Sequence, residues 1–282
     1  MMPEARLSTT GRFEDIQDTT FKFIKKMNVD VYTLHADGSY LAKPKWGDKL
    51  RNNAPVDVKV NLLYTKEELA TIDEKTLEEK ITAALYYDDL EWLKTRPDVK
   101  YKHKTLAEGL ENILHVCPEC GSYLTIQTKK RDVFCTHCGM KATLDDRYSF
   151  VDHKPFENFQ VWYDWQMSKL KEEILSTENW VLSEKVYLNH SSKDGKTLVR
   201  PAGEGVCYMD RNGLTYKGTD DGEYVEKHFP MEQMYRVLFG AGEDFEIYDG
   251  REIYYFRTED LRSCSRWYMA SIILKNLSEG KL

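Results

Sequence analysis

Cys117-Pro-Glu-Cys120-Gly and Cys135-Thr-His-Cys138-Gly are the two short motifs that decide the fold at the centre of this chain. Fourteen residues separate the second cysteine of the first motif from the first cysteine of the second. A two-residue gap lets one tight turn direct both thiolates of a pair at the same point. Two such pairs supply the four ligands of a tetrahedral Zn²⁺ shell. We therefore predict that the four cysteines bind one structural zinc ion. They are Cys117, Cys120, Cys135 and Cys138.

The residues around these motifs predict a zinc ribbon. Gly121 and Gly139 follow the second cysteine of each pair, where a tight turn often requires a positive φ. Residues 122–128 and 133–135 predict two strands joined by a polar turn. The alternative is a pair of disulfide bonds in place of the metal. A ribbon of this kind serves either as a structural element or as a docking surface, and both interpretations stay open.

The composition is that of an ordinary globular protein. The chain has 282 residues, 41% of them apolar and 31% charged, which is enough for two or three domains. The formal net charge of −7 argues against nucleic acid as a partner. The sequence has neither a signal peptide nor an apolar run of about 18 residues. The remaining cysteines, Cys207 and Cys264, are expected to be core thiols in a reducing, cytoplasmic setting.

Residues 1–64 predict part of an α/β layer. Apolar side chains at helical spacing predict a helix over residues 13–27, and two apolar runs predict strands at 29–35 and 56–64. A strand pair this small leaves long unpaired edges, so we expect the domain to begin before Met1 in a longer parent protein. The basic stretch between the strands is expected to be a solvated loop or a membrane contact. Its members are Lys43, Lys45, Trp46, Lys49 and Arg51.

The opening segment Met2-Pro-Glu-Ala-Arg-Leu-Ser-Thr-Thr-Gly resembles the Pro-Glu-Gly-Arg variant of the third motif of glycerolipid acyltransferases. These enzymes acylate lysophosphatidic acid and related lysophospholipids. The helix and strand that follow are similar to the family's continuation, so the resemblance covers about the first sixty residues. In the family, the motif's glutamate and arginine hold the glycerol-phosphate head group, and the matching residues here are Glu4 and Arg6. A guanidinium pairs bidentately with a phosphate dianion; the alternative is an ordinary Glu/Arg ion pair.

The resemblance also implies a catalytic motif that this sequence lacks. The family deprotonates the acceptor hydroxyl with the histidine of a His-x4-Asp motif upstream of the third motif. His35 lies downstream and has Tyr40 in place of the aspartate. The other six histidines also have no aspartate at that spacing. We therefore predict that this chain alone does not catalyse acyl transfer, whereas a longer parent protein does.

Helices are predicted on both sides of the ribbon. Residues 65–94 predict a helix that opens with a capping box formed by Thr65 and Glu68. The adjacent Asp88 and Asp89 are expected to lie on its solvated face. A second helix, rich in aromatic residues, is predicted over residues 156–175.

Beyond Trp180 the apolar period changes to two, which predicts seven short strands. The second and third are placed at residues 197–200 and 205–209, and Asn-Gly and Asp-Gly dipeptides predict hairpin turns. An amphipathic helix closes the chain. Seven strands and a terminal helix resemble a pleckstrin-homology-like barrel, which by itself does not fix a function.

The sequence therefore predicts an α+β multidomain protein. The segments are 1–100, the C-terminal part of an acyltransferase-like α/β domain; 101–150, the zinc ribbon; 151–178, a linking helix; and 179–282, a small β-barrel with a terminal helix.

The predicted function is that of the C-terminal portion of a lysophospholipid acyltransferase of the 1-acylglycerol-3-phosphate type. In the full-length parent, a lysophospholipid and an acyl thioester are the expected substrates. Peripheral contact with the inner face of the membrane and a protein partner for the barrel are also expected. The alternative is a non-enzymatic adaptor built from the ribbon and the barrel.

Overall fold

A computed structural model describes residues 3–4, 6–51, 54–152, 155–192, 197–234 and 236–282. The chain forms two compact units. The N-terminal unit is Met1–Leu106 with Leu144–Ser149, and the C-terminal unit is Ala107–Thr143 with Phe150–Leu282. The α+β class expected from the sequence is confirmed, since the structure has helices and a large antiparallel sheet. The segment boundaries drawn from the sequence at residues 100, 150 and 178 stay predictions.

The N-terminal unit combines short helices with one antiparallel strand pair, β1 and β2, which we call the small sheet. Its elements are α1 (Asp18–Met27), β1 (Val31–Asp37), α2 (Ser39–Ala42), β2 (Asp57–Tyr64), α3 (Lys66–Thr71), α4 (Glu74–Leu85) and α5 (Asp89–Thr95). The single helix expected over residues 65–94 is therefore wrong. Asp73 and Asp88 each accept backbone N–H groups and start a new helix, which divides the segment into three. The Thr65–Glu68 capping box is confirmed.

The small sheet is covered on one side only. Val31 and Leu63 pack against a core that α1, α3 and α4 supply through Phe21, Leu69 and Ile81. The opposite side, which we call the outer face, is formed by cross-strand neighbours such as Tyr32 with Leu62. Its large apolar side chains are between 49% and 62% exposed. They are Tyr32, Leu34, Val58, Val60 and Leu62.

The expectation that Asp88 and Asp89 both lie on a solvated helix face is wrong. The side chain of Asp89 is buried, and its carboxylate accepts the backbone N–H groups of Gly38 at 3.0 Å and Tyr40 at 2.8 Å. Asp88 caps α5 instead of facing solvent as a free carboxylate. The contact to residues 38 and 40 spans about fifty positions, so helical periodicity gives no sign of it. Asp89 thus fixes the start of α2 and the basic stretch that follows it.

Residues Leu144–Ser149 return to the N-terminal unit. Arg147 donates to the carbonyl groups of Leu93, Arg96 and Val99 at 2.5–2.8 Å. These carbonyls lie at the end of α5 and just beyond it, where helix geometry leaves acceptors without internal partners. The side chain of Arg147 therefore closes the C-terminal end of α5.

The C-terminal unit contains the ribbon and a large antiparallel sheet. Its elements are β3 (Ile126–Lys129), β4 (Asp132–Cys135), β5 (Lys141–Thr143), α6 (Phe159–Ser176), β6 (Leu182–Ser191), β7 (Val199–Asp210), β8 (Gly213–Asp220), β9 (Glu223–Pro230), β10 (Leu238–Phe239), β11 (Phe245–Asp249), β12 (Glu252–Thr258) and α7 (Cys264–Ser278). Strands β3, β4 and β5 form the ribbon. The large sheet has the order β10-β11-β12-β6-β7-β8-β9 over the residues that the structure describes.

Two errors in the predicted strands leave the number of strands in the large sheet unchanged. The segments 197–200 and 205–209, expected as separate strands, belong to the continuous β7, and the two-residue β10 was not expected. Gly203 lies in the gap between the two expected strands and is part of β7. A Cβ atom at this position would lie 1.8 Å from the carbonyl oxygen of Thr219 on β8. The glycine here permits close approach of two strands instead of ending one.

Helix α7 supplies much of the core against the large sheet. Trp267 is fully buried and stacks on Phe245 of β11 with ring centroids 4.7 Å apart. Its indole N–H donates to Glu184 of β6 at 2.9 Å, and Ser263 donates to the same carboxylate. The half-buried carboxylate of Glu184 is therefore satisfied by hydrogen bonds.

Burial raises the pKa of Asp89 to about 6, and this predicts a pH-dependent stability. The folded protein holds a proton that the unfolded chain has lost between about pH 4 and pH 6, so stability falls as pH rises through this window. Relative to Asp89→Asn, we expect the wild-type chain to lose about 2–3 kcal/mol of unfolding free energy between pH 4 and pH 7. Urea unfolding of both proteins across this range measures the difference. A difference that stays constant with pH contradicts the assignment.

Candidate metal centre and ligand groove

Two tight turns place the four cysteines of the ribbon. The N–H of Gly121 donates to the carbonyl of Cys117, and the N–H of Gly139 donates to the carbonyl of Cys135, both at 3.0 Å. Gly121 and Gly139 have φ of 69° and 79°, so the positive φ expected at both glycines is confirmed. A Cβ atom at either position would meet no neighbour within 4 Å, so backbone conformation alone favours glycine here.

The four sulfur atoms have the spacing of a tetrahedral thiolate site. Sγ of Cys117 lies 3.7 Å from Sγ of Cys138, and Sγ of Cys120 lies 3.8 Å from Sγ of Cys135. All four lie within 4.8 Å of one another. A tetrahedron with Zn–S bonds of about 2.3 Å has edges of about 3.8 Å. A disulfide bond needs about 2.05 Å. The cluster is therefore compatible with a zinc site, and all four cysteines are free thiols.

Of the two histidines beside the cysteines, His115 is engaged elsewhere, whereas His137 contacts the thiol of Cys120 and the hydroxyl of Ser122. Nδ1 of the buried His115 lies 2.7 Å from the hydroxyl of Ser265, and burial lowers its pKa to about 3, so the ring is neutral. Nδ1 of His137 lies 3.1 Å from the hydroxyl of Ser122. Among the described residues at the ribbon, the group with the spacing of metal ligands contains the four cysteines and neither histidine.

Side chains of α6 and of the segment before α7 hold the ribbon by its backbone. Trp162 donates to the carbonyl of Val116 at 3.0 Å. Gln166 accepts the N–H of His115 and donates to the carbonyl of Ile113. Arg262 donates to the carbonyl of Ile126 at 3.0 Å. The ribbon is thus part of the packed C-terminal unit. Cys207 and Cys264 are fully buried in that unit, as expected for core thiols.

A second group of candidate ligand atoms is better explained as one ion pair and one hydrogen bond. His190, Asp220 and Asp221 also place their polar atoms within 4.8 Å of one another. Arg200, however, engages both carboxylate oxygens of Asp221 at 2.6 and 2.7 Å, and His190 contacts Asp220 at 2.8 Å. The bidentate arginine lowers the pKa of Asp221 and occupies its lone pairs.

The N-terminal unit contains a groove of about 950 Å³. Part of its lining is apolar and comes from α1, β1, β2 and α4, with Phe23, Ile24, Leu63 and Ile81 as examples. The polar part combines carboxylate, guanidinium, ammonium and hydroxyl groups. Its members include Glu4, Arg6, Ser8, Lys43, Lys45 and Tyr87. Both head-group residues suggested by the sequence therefore line the same groove.

Glu14 organises the polar part of the groove and was not singled out from the sequence. Its Oε2 lies 2.5 Å from Nε of Arg6, and its Oε1 accepts the N–H of Thr9 at 2.8 Å. Its own N–H donates to Glu4 at 3.1 Å, and Tyr87 donates to the other oxygen of Glu4 at 3.3 Å. Burial is the largest cause that raises the pKa of Glu4. The ion pair that fixes Arg6 is therefore made with Glu14.

His35 lies on β1 and also lines the groove. Its Nε2 contacts the carbonyl oxygen of Ala84, which requires the proton to sit on that nitrogen. A backbone carbonyl therefore fixes the ring of His35. In the acyltransferase motif His-x4-Asp, an aspartate accompanies the histidine instead.

Comparison of the chain with protein-family models, with curated proteins and with solved structures gives no match. The acyltransferase resemblance of the first sixty residues therefore stays a prediction. Among the described residues, no helix has the length and apolar character needed to cross a membrane.

The sulfur geometry predicts about one zinc ion per purified chain, measured by plasma emission spectroscopy. Cys120→Ser and Cys138→Ser each remove one thiolate that is exposed, so the protein core stays intact while the metal is lost. We also expect a lower melting temperature for the C-terminal unit in both variants. Cys207→Ala is the control, because this buried thiol lies outside the cluster and the variant should keep its zinc. Metal-free wild-type protein contradicts the assignment.

Proposed function

We propose that this chain is the C-terminal portion of a lysophospholipid acyltransferase of the 1-acylglycerol-3-phosphate type. The observation that supports this most is the groove, in which the motif residues Glu4 and Arg6 share one cavity with an apolar wall. A lysophospholipid has the same two parts, an anionic head group and an acyl chain. Apolar walls favour burial of the acyl chain, and cationic groups favour binding of the phosphate.

In the whole enzyme, the hydroxyl of the lysophospholipid attacks the carbonyl carbon of an acyl thioester. A new C–O ester bond forms, the C–S bond breaks, and the carrier leaves as a thiol. A general base takes the hydroxyl proton, and we assign this step to a His-x4-Asp motif outside this chain. Glu4 and Arg6 would serve to bind and orient the head group.

The outer face of the small sheet is in keeping with this proposal. Strands of an α/β layer are normally covered on both faces. Tyr32, Leu34, Val58, Val60 and Leu62 instead form an exposed apolar surface. We propose that the remainder of an acyltransferase α/β layer packs against this surface.

The C-terminal unit has a supporting role in this proposal. We assign Zn²⁺ to the four cysteines as a structural ion, because a closed set of four thiolates leaves no position for substrate. We further propose that the large sheet and α7 form a pleckstrin-homology-like barrel that binds a protein partner. A cytoplasmic protein in peripheral contact with the inner face of the membrane fits these assignments.

The competing proposal is a non-enzymatic adaptor built from the ribbon and the barrel. The ion pair of Arg6 with Glu14 favours it, because a structural ion pair is one reading of the motif. Ligand binding in the groove distinguishes the two proposals, since the adaptor needs no lipid site in the N-terminal unit.

We expect the chain to bind 1-lauroyl-lysophosphatidate at least about tenfold more tightly than 1-monolauroylglycerol, because the two ligands differ only in the phosphate. Isothermal titration below the critical micelle concentration of each ligand measures the two affinities. Equal affinities, or no binding of either ligand, contradict the acyltransferase proposal and favour the adaptor.

Acyl transfer by this chain should stay at background, because no histidine of the sequence has an aspartate five residues further on, and the His-x4-Asp motif is therefore absent. A radiolabelled acyl thioester with lysophosphatidate as acceptor tests this. Turnover above the rate without protein would show that another group, such as His35, acts as the base.

A further inference from the structure

We propose that Lys43 and Lys45 supply the positive charge that recognises a phosphate monoester in the groove, and that Arg6 is a positioning residue held by Glu14. This inference rests on the proposed function of the groove as a lysophospholipid site. It names two residues that the sequence motif does not include.

The charge of Arg6 is already balanced by the protein. The Arg6 and Glu14 side chains are only 5% and 15% exposed, and they are joined at 2.5 Å. Glu14 is fixed in turn by the N–H of Thr9, and Glu4 is fixed by the N–H of Glu14. Arg6 lies among two carboxyl groups, those of Glu14 and Glu4, so this group of residues has no surplus positive charge to offer a phosphate dianion. Recognition of a dianion at this place therefore needs further cations.

The ammonium group of Lys43 is held by a neutral acceptor and can contact a ligand. The Lys43 side chain is exposed, and the ammonium group donates to the carbonyl oxygen of Gly47, which is a neutral acceptor. An ammonium group has three donors, so two remain for ligand oxygens in addition to this contact. Lys45 lies two residues further along and is half-buried in the lining of the same groove.

The loop that carries the two lysines is anchored by its buried members Trp46 and Arg51, whereas Lys43 and Lys49 are exposed as expected for a solvated loop. Trp46 is 4% exposed and packs edge-on against Tyr40 at 5.7 Å. Arg51, which is 2% exposed, closes the loop through its N–H to the carbonyl of Ala42 at 2.7 Å. Asp89 fixes the start of α2 just before the loop. The lysines are thus held in place before a ligand binds, which reduces the entropic cost of binding.

Single and double alanine variants of the two lysines test the proposal by titration with 1-lauroyl-lysophosphatidate. Each charge-assisted contact is worth about tenfold in affinity, so we expect about a tenfold loss for each variant and a larger loss for the pair. Lys49→Ala is the matched control, because Lys49 belongs to the same basic stretch, is exposed and is absent from the groove lining. Its affinity should equal that of the wild type. Inorganic phosphate in place of the lipid shows whether the lysines recognise the phosphate by itself.

The salt dependence of binding separates the role of the lysines from that of Arg6. Affinity should fall with salt in the wild type, and this dependence should flatten in the lysine double variant, because ionic attraction is screened. The charge-neutral pair Arg6→Gln with Glu14→Gln should weaken binding through loss of positioning while it keeps the wild-type salt dependence. Melting temperatures confirm that each variant folds.

Three outcomes decide the question. If the wild type binds lysophosphatidate more tightly than monolauroylglycerol and the lysine variants lose this preference, the proposal stands. If the wild type discriminates but the lysine double variant matches Lys49→Ala, or if the Arg6 and Glu14 pair flattens the salt dependence, the inference is wrong while the acyltransferase proposal remains. If the wild type does not discriminate, both fail.

Discussion

The carboxylate of Glu14 is the group on which the opening part of the chain depends. One oxygen holds Arg6 and the other holds the backbone at Thr9, while the N–H of Glu14 holds Glu4. Through these three contacts, Glu14 holds the segment that contains Glu4, Arg6 and Thr9 in a folded-back conformation. Because the pair with Arg6 is largely excluded from water, loss of either partner leaves a buried charge, which costs far more than the loss of an exposed ion pair. The shape of the groove depends on this contact.

The ribbon shows how much a local pattern can establish. Both knuckles, their glycines and the antiparallel strands between them follow from residues within about twenty positions of one another. The same locality explains the capping box at Thr65 and Glu68. Cys207 and Cys264 were also placed correctly, since a lone cysteine in an apolar strand or helix is typical of a core position.

Contacts between distant positions were missed because they leave no mark on the local sequence. Asp89 looks like a residue on a helix surface, yet it serves the turn at Gly38 and Tyr40. Glu14 lies ten residues beyond Glu4, in a stretch with no motif of its own. Residues 197–200 and 205–209 were expected as separate strands, whereas they belong to one strand in which Gly203 allows β7 and β8 to approach closely. In each case the deciding partner lies on another element, and the sequence alone does not show which elements meet.

The outer face of the small sheet has a consequence for the behaviour of the isolated chain in solution. Strands that expose both free backbone edges and a continuous apolar surface are templates for intermolecular pairing. Concentrated samples are therefore expected to associate through the surface that contains Tyr32, Leu34 and Val60. Charged substitutions at these positions, or a mild detergent that coats them, should improve solubility and leave the C-terminal unit unaffected.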